Sequence, residues 1–247
     1  MEGLQILLNQ VATNSAEFGL NLNIKKTKWM VISKNQVGGG ILQVQNQQIE
    51  RVQSYKYLGC QVNENWDNMQ EVRARIEQAR ASFVRMKSVL CCRSLSLSVR
   101  IRVLRCYVFS ILYYGIEAWT LTEAMCKKLE AFEMWTYRRM LKISWTDRVR
   151  NVEVLARLSK DLEVLLTLKE RKLEYFGHIL RNEKYSLLKL IIEGKIEGRR
   201  GPGRRRISWL KNLRQWYNET TTSLFRKAVD KVQIALMIAN VRRGQGT

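Results

Sequence analysis

The chain has 247 residues, 46% of them hydrophobic and 26% charged, with 43 Lys and Arg against 22 Asp and Glu, a formal net charge of +21. That length and apolar content support a packed core in one or two domains and exclude a disordered polypeptide. The charge excludes an ordinary near-neutral enzyme and points to a polyanionic partner, either nucleic acid or an anionic membrane surface.

Leu4, Leu7, Leu8, Val11 and Phe18 recur near helical spacing, so residues 2–18 are predicted to form an amphipathic helix, ended by Gly19. The period then changes. "KWMVIS", "ILQV" and "YLGCQV" are short and rich in β-branched or aromatic residues, and Gly38-Gly39-Gly40 and the polar "QNQQ" punctuate them. A small antiparallel sheet against the first helix is expected.

After about residue 66 strand signals stop. Val72, Ile76, Ala79, Phe83, Met86 and Leu90 share one helical face, as do Ile101, Leu104, Val108, Ile111, Gly115 and Trp119. Thr120 with Glu123 reads as a capping box for a helix running to about Ile143. Further helices are expected over 149–158, 161–181, 185–193, 207–217 and 223–242, with one proline in the chain to break them. The fold class is therefore α+β: an N-terminal helix with a small antiparallel sheet, then a mainly α-helical region.

Charge is distributed unevenly. Residues 1–70 hold six basic and five acidic side chains, and 71–247 hold the remaining 37 and 17, a balance of +20. A polyanion is thus expected to meet the second part of the chain. "GRRGPGRRRISWL" (198–210) concentrates that charge. Its glycines allow close backbone approach, and Arg199, Arg200, Arg204, Arg205 and Arg206 offer planar forks suited to phosphate. A solvated loop is the plain alternative; the arginine density favours phosphate contact. Trp209, Leu213 and Trp216 share a helix face, a spacing that indicates core packing more than base stacking. In "LNLNIKKTKWMVIS", a strand would put Lys26 and Lys28 on one face and Lys25 and Thr27 on the other.

Groups for catalysis or metal binding are sparse. The five cysteines (Cys60, Cys91, Cys92, Cys106, Cys126) contain no C-x-x-C pair, and His178 is the single histidine. Structural zinc is excluded, and buried free thiols in a reducing compartment are expected. His178, in "YFGHIL", is expected to be packed. The four aspartates, Asp67, Asp147, Asp161 and Asp230, are isolated, whereas metal-dependent nucleotidyl transfer needs converging carboxylates. Glu123, Glu130 and Glu133 read as surface charge beside Lys127. No catalytic residue and no metal ligand is assigned. The longest uncharged run, "CYVFSILYYGI" (106–116), is 11 residues where a bilayer span takes about 20, and no signal peptide is visible. An intracellular protein, nuclear or cytoplasmic, neither secreted nor in a membrane, is expected.

Several motifs together carry a family resemblance that covers nearly the whole chain. "GLNLNIKKTKWMVIS" followed by "VQSYKYLGCQV" resembles the post-catalytic palm of reverse transcriptases from non-LTR (LINE-type) retrotransposons. "YYGIEAWTLTEAMCKKLEAFEMWTYRRMLKISWTDRVRN", "RKLEYFGHILR" and "GRRGPGRRRISWL" resemble the thumb and basic C-terminal region of the same endonuclease–reverse transcriptase polyproteins. The resemblance implies three regions: a palm remnant at 1–66, a helical thumb-like region at 67–145 and a basic helical region at 146–247. Gly19, Asn23, Lys26, Thr27 and Lys28 match the fourth palm motif, in which a lysine assists at the leaving pyrophosphate; Tyr57, Leu58 and Gly59 match the primer grip.

The Tyr/Phe-x-Asp-Asp turn that holds Mg²⁺ in the complete enzyme of that family has no match here, so this chain is expected to be inactive alone and to carry no cofactor. The expected partner is nucleic acid: RNA template, RNA–DNA hybrid or DNA target, without a small-molecule substrate. Two alternatives stay open, a non-enzymatic basic nucleic-acid-binding protein and a decayed element product with no function.

Overall fold

A computed structural model of the chain describes residues 2–32, 40–65, 67–195 and 208–243. They form two compact units, Met1–Glu71 and Val72–Thr247.

In the first unit, helix α1 (Glu2–Glu17) ends where the sequence places its stop. Gly19 takes a φ of 73°, Leu20 N–H donates to Ser15 O and Gly19 N–H donates to Ala16 O, a Schellman closure that only a left-handed residue permits. Strands β1 (Lys28–Trp29), β2 (Leu42–Val44) and β3 (Gln47–Arg51) form a sheet in the order β1-β3-β2. Strands β4 (Ser54–Tyr57) and β5 (Cys60–Asn63) form a separate antiparallel hairpin. The α+β class stands, with more detail than the pattern held. The three-stranded sheet is mixed, because β1 runs parallel to β3. β3 begins inside the polar "QNQQ", where Gln45 and Asn46 (φ 52° and 63°) form a two-residue turn of the kind that matches strand twist. "YLGCQV" is not one strand but a hairpin corner, with Leu58 and Gly59 at φ 46° and 83°. Of "KWMVIS", Lys28 and Trp29 are in a strand, while Ser33–Gly39 lie outside the described residues.

The core of this unit is Trp29, Leu42, Val44 and Ile49, against which Leu8 and Ala12 of α1 pack. The Gln5 side chain pairs with the free edge of β2, donating to Gln43 O at 2.7 Å and accepting from Gln43 N–H at 3.0 Å. That amide extends the ladder by one rung and blunts the edge. A second apolar stripe, Leu4, Leu7, Val11 and Phe18, is exposed.

The second unit is helical among its described residues. Helix α2 (Met69–Arg85) starts at the end of the first unit, and α3 (Lys87–Leu90), α4 (Leu97–Leu104) and α5 (Ser110–Leu112) come next, α4 and α5 joined by a π-helical turn, Arg105–Phe109. Helix α6 (Glu123–Leu141) is capped by Thr122, not Thr120: the Thr122 hydroxyl accepts from Met125 N–H, and Thr120 is too early to reach the first turn. Then come α7 (Asn151–Leu158), α8 (Val164–Arg181), α9 (Ser186–Glu193), α10 (Trp209–Trp216), α11 (Thr221–Val229) and α12 (Lys231–Arg242). The helix expected over 223–242 is two helices, because Asp230 leaves helical geometry and its carboxylate accepts from Val232 N–H at 2.8 Å. α6 and α8 pack directly on one another across the division expected at 145/146.

Two residues of α8 organise the packing around it. Gly177 is the point where α8 meets the corner between α11 and α12. A methyl group there would stand 2.0 Å from Ile234 Cδ1 and 3.0 Å from the Ala228 carbonyl oxygen. Lys172 is fully buried, with Nζ donating to Trp119 O at 2.6 Å and Asn212 Oδ1 at 3.0 Å and lying 4.7 Å and 5.3 Å from the ring centres of Trp209 and Trp216. The core reading of Trp209, Leu213 and Trp216 therefore holds, with an ammonium enclosed between two indoles. Asn212 adds a two-way clamp to the Leu121 backbone, and Trp209 Nε1 donates to Glu117 O, so α10 is pinned by polar contacts at three points.

Gly177→Ala is expected to destabilise the protein by about 1–3 kcal/mol through overpacking, read as a lowered urea midpoint with unchanged slope. Burial pushes the Lys172 ammonium down to about 7, against 10.5 for an ordinary lysine. Between those values the unfolded chain holds a proton that the folded chain does not, so this group adds stability as pH rises through that window. The urea midpoint of the wild type is expected to gain on that of Lys172→Met between pH 7 and pH 9.5; parallel midpoints would refute the assignment.

Candidate nucleic-acid interface

The residues singled out in the sequence do not form one site. Lys26 sits in a turn, its N–H donating to Asn23 O at 3.0 Å and Oδ1 at 3.1 Å, and the strand starts only at Lys28. The expected alternation of Lys25, Lys26, Thr27 and Lys28 therefore does not extend through this segment. Lys28 pairs in register with Glu50, and its ammonium is bonded to that carboxylate, which uses up its charge locally. Tyr57, Leu58 and Gly59 lie at the tip of the β4–β5 hairpin, in a different sheet, with Tyr57 and Leu58 exposed. Arg199, Arg200, Arg204, Arg205 and Arg206 lie outside the described residues.

The acidic and polar candidates have other employment. Asp67 accepts from Met69 N–H, Asp147 accepts from Ser144 N–H and Asp230 caps α12. Glu123 pairs with Lys127 at the surface, as expected. Glu133 does not belong to that surface: it is completely buried and binds the start of α8. His178 is exposed on α8, bonded to Asn182 and with its ring 5.4 Å from that of Tyr185, so it is not the core residue expected. The five cysteines are free thiols, half-buried except for the exposed Cys106, so the expected burial is incomplete. Among the described residues no three His, Cys, Asp or Glu side chains gather in a metal-binding group, and no helix is long and apolar enough to cross a membrane.

A basic groove of about 1240 Å³ opens within the second unit. Its walls are the end of α2 (Phe83, Val84), Lys87 and Cys91 at α3, the last turns of α6 (Trp135, Arg138, Arg139), and the Lys142–Asn151 connection to α7. Six of its lining residues are cationic, Lys87, Arg138, Arg139, Lys142, Arg148 and Arg150, and no carboxylate lines it. None of the six is ion-paired to a described carboxylate.

Local chemistry fixes this shape. α6 ends in a second Schellman closure, with Lys142 at φ 58°, Ile143 N–H donating to Arg138 O and Lys142 N–H to Arg139 O. Basic residues in that last turn meet the negative end of the helix dipole. Ser144 and Asp147 then form a reciprocal capping box around a 3-10 turn, Trp145–Asp147. Arg138 Nη2 ties the connection back to α6, donating to Val149 O at 2.7 Å and Asn151 Oδ1 at 2.8 Å. Behind the cations, Trp135 lies against Phe83 and Phe132 and carries Arg80 and Arg139 near its ring.

Sequence reasoning did not assemble this groove. Part of its signal was present in "RRMLKISWTDRVRN" (138–151), which holds five of the six cations; Lys87, Phe83 and Trp135 join them only through tertiary packing.

No family model matches the sequence, and no solved structure matches it. The chain is 27% identical over 216 residues to a transposon-derived protein of Caenorhabditis elegans, an alignment covering 85% of this chain and 77% of that protein. This likeness supports a transposon origin for the chain.

Proposed function

We propose that the chain is a nucleic-acid-binding protein related to the palm and thumb of non-LTR retrotransposon reverse transcriptases, gripping template or primer phosphates through its second unit rather than joining nucleotides. One observation carries the proposal: six cations line a groove that no carboxylate lines and none is neutralised by a described partner. In an ordinary surface, charges of both signs are interspersed, and an unpaired single-sign cluster is self-repelling until an anion arrives. Arginine forks and lysine ammonium groups both suit phosphate, and their convergence from α3, α6 and the α7 approach allows contact with successive phosphates of one strand. The transposon origin agrees with a partner of this class. The arginine-rich 199–206 segment supplies further positive charge to the same polymer.

Salt titration tests this reading. If about six phosphates are neutralised, log K against log[salt] falls with a slope of roughly −4 to −5. Replacing exposed Lys87, Arg148 and Arg150 together by Gln is expected to flatten that slope by about 2 to 3 while leaving the circular dichroism spectrum unchanged. A slope that the triple variant does not move would remove the groove from the interface.

A further inference from the structure

Trp145 is 87% exposed, the most exposed large apolar side chain in the described structure. Exposed tryptophan is uncommon, because its ring holds more apolar surface than any other side chain and gains most from burial. Six further tryptophans exist in this chain, and those at 29, 119, 135, 209 and 216 are buried or half-buried. Among the described residues no aromatic ring and no cation stacks on Trp145, in contrast to Trp135, whose ring meets two aromatic neighbours and two arginines.

The backbone beneath it is held in place. The Ser144–Asp147 capping box, the left-handed residues Lys142 and Arg148, the Thr146 hydroxyl bonded to Ser144 Oγ at 2.9 Å, and the Arg138 tether fix the turn from both sides. The indole stands on a pre-ordered turn, so a ligand that stacks on it bears little further ordering cost. It also lines the basic groove, with Lys142 and Arg148 each three residues away along the chain.

An indole with an exposed face set among cations that have no described carboxylate partner suits a polymer that presents anions and flat aromatic rings together. Single-stranded nucleic acid does so: its phosphates meet the cations while an unstacked base covers the indole. A duplex interior does not, because each base is already stacked on its neighbours. An acidic peptide supplies charge without regular aromatic faces. On the reading that this groove binds nucleic acid, we propose that Trp145 is a base-stacking platform and that the groove holds a single-stranded segment.

The test compares wild type, Trp145→Phe and Trp145→Ala by fluorescence anisotropy against labelled 12-mer oligo(dT) and oligo(U), the corresponding 12-base-pair duplex, and the base-free competitors heparin and polyglutamate. Because Trp145 is exposed and contributes nothing to the buried cores, the variants are expected to fold; thermal unfolding confirms it. Trp145→Ala is expected to weaken single-strand binding about tenfold, Trp145→Phe by less, with duplex and heparin affinities unchanged. Equal loss on the duplex and on heparin, or no loss on the single strands, overturns the stacking assignment. Tight polyglutamate binding that Trp145→Ala abolishes would replace it with an acidic protein partner. The groove reading is judged separately, by the Lys87, Arg148 and Arg150 triple variant on the same oligonucleotides: a loss there with no effect of Trp145→Ala leaves the groove standing and removes only the stacked base.

Discussion

The second unit turns on one buried carboxylate. Glu133 of α6 accepts from the backbone N–H groups of Glu163 and Val164 at 2.7 Å and 3.0 Å, and from the Tyr137 hydroxyl at 2.8 Å. Those two N–H groups open α8, whose first turn has no intrahelical acceptors, so a side chain from another helix supplies the cap. Burial pushes the Glu133 carboxyl above its ordinary value, and its hydrogen bonds only partly offset that. The surroundings extend the contact into a network. Lys160 reaches the Tyr137 hydroxyl and Glu163, while Arg105 forks onto the Glu163 carboxylate. Burial pushes the Glu163 carboxyl up too, but Arg105 and Lys160 outweigh it and hold the group below its ordinary value. Three stretches far apart in sequence, the π-helical turn, α6 and the start of α8, are thereby fixed together.

α8 in turn positions the C-terminal helices. Its buried face carries Lys172, Leu173, Phe176, Gly177 and Leu180 into a core completed by α10, α11 and α12. The other end of the Glu133 helix is the groove wall. α6 presents Met125, Leu129, Phe132, Glu133, Thr136, Tyr137 and Met140 inward, which leaves Trp135, Arg138 and Arg139 on its remaining face. Fixing α6 against α8 thus determines which side of α6 is left for the solvent, and the basic groove is on that side.

Legibility in the sequence tracks the range of the interaction behind each feature. The helix–sheet–helices order, the Gly19 stop and the inward face of α10 all arise from spacing within a few residues, and all were legible. The Asp230 break was locally encoded by a cap residue, but an apolar pattern that continues through it concealed the signal. Glu133 differs from its sequence reading because a glutamate three residues after Glu130 and six after Lys127 reads as surface charge, and nothing within α6 announces the helix that will present its N-terminus to it. The groove was half legible: residues 138–150 carry a dense basic run around Trp145, whereas the contributions of Phe83 and Lys87 depend on α2 and α3 coming to rest beside α6.

The net charge takes its meaning from where the acids went. In the second unit Glu163 serves Arg105 and Lys160, Glu170 forks with Arg242, Glu219 holds Lys227, and Glu117 faces Arg171. Glu133, Asp147 and Asp230 are committed to helix starts. Each of these carboxylates joins elements or ends a turn, and others, such as Glu77, Glu123 and Glu193, pair with Arg80, Lys127 and Lys195, none of which lines the groove. A uniform scatter of surplus Lys and Arg would bind a polyanion weakly and without register. Here five cations gather at the C-terminal end of α6 and the turn after it, where the helix dipole favours cations and the Schellman closure and capping box order the backbone that carries them. The same local rules that end one helix and start the next therefore build the groove, and Trp145, the first residue of the turn that the capping box closes, lines it with its indole exposed.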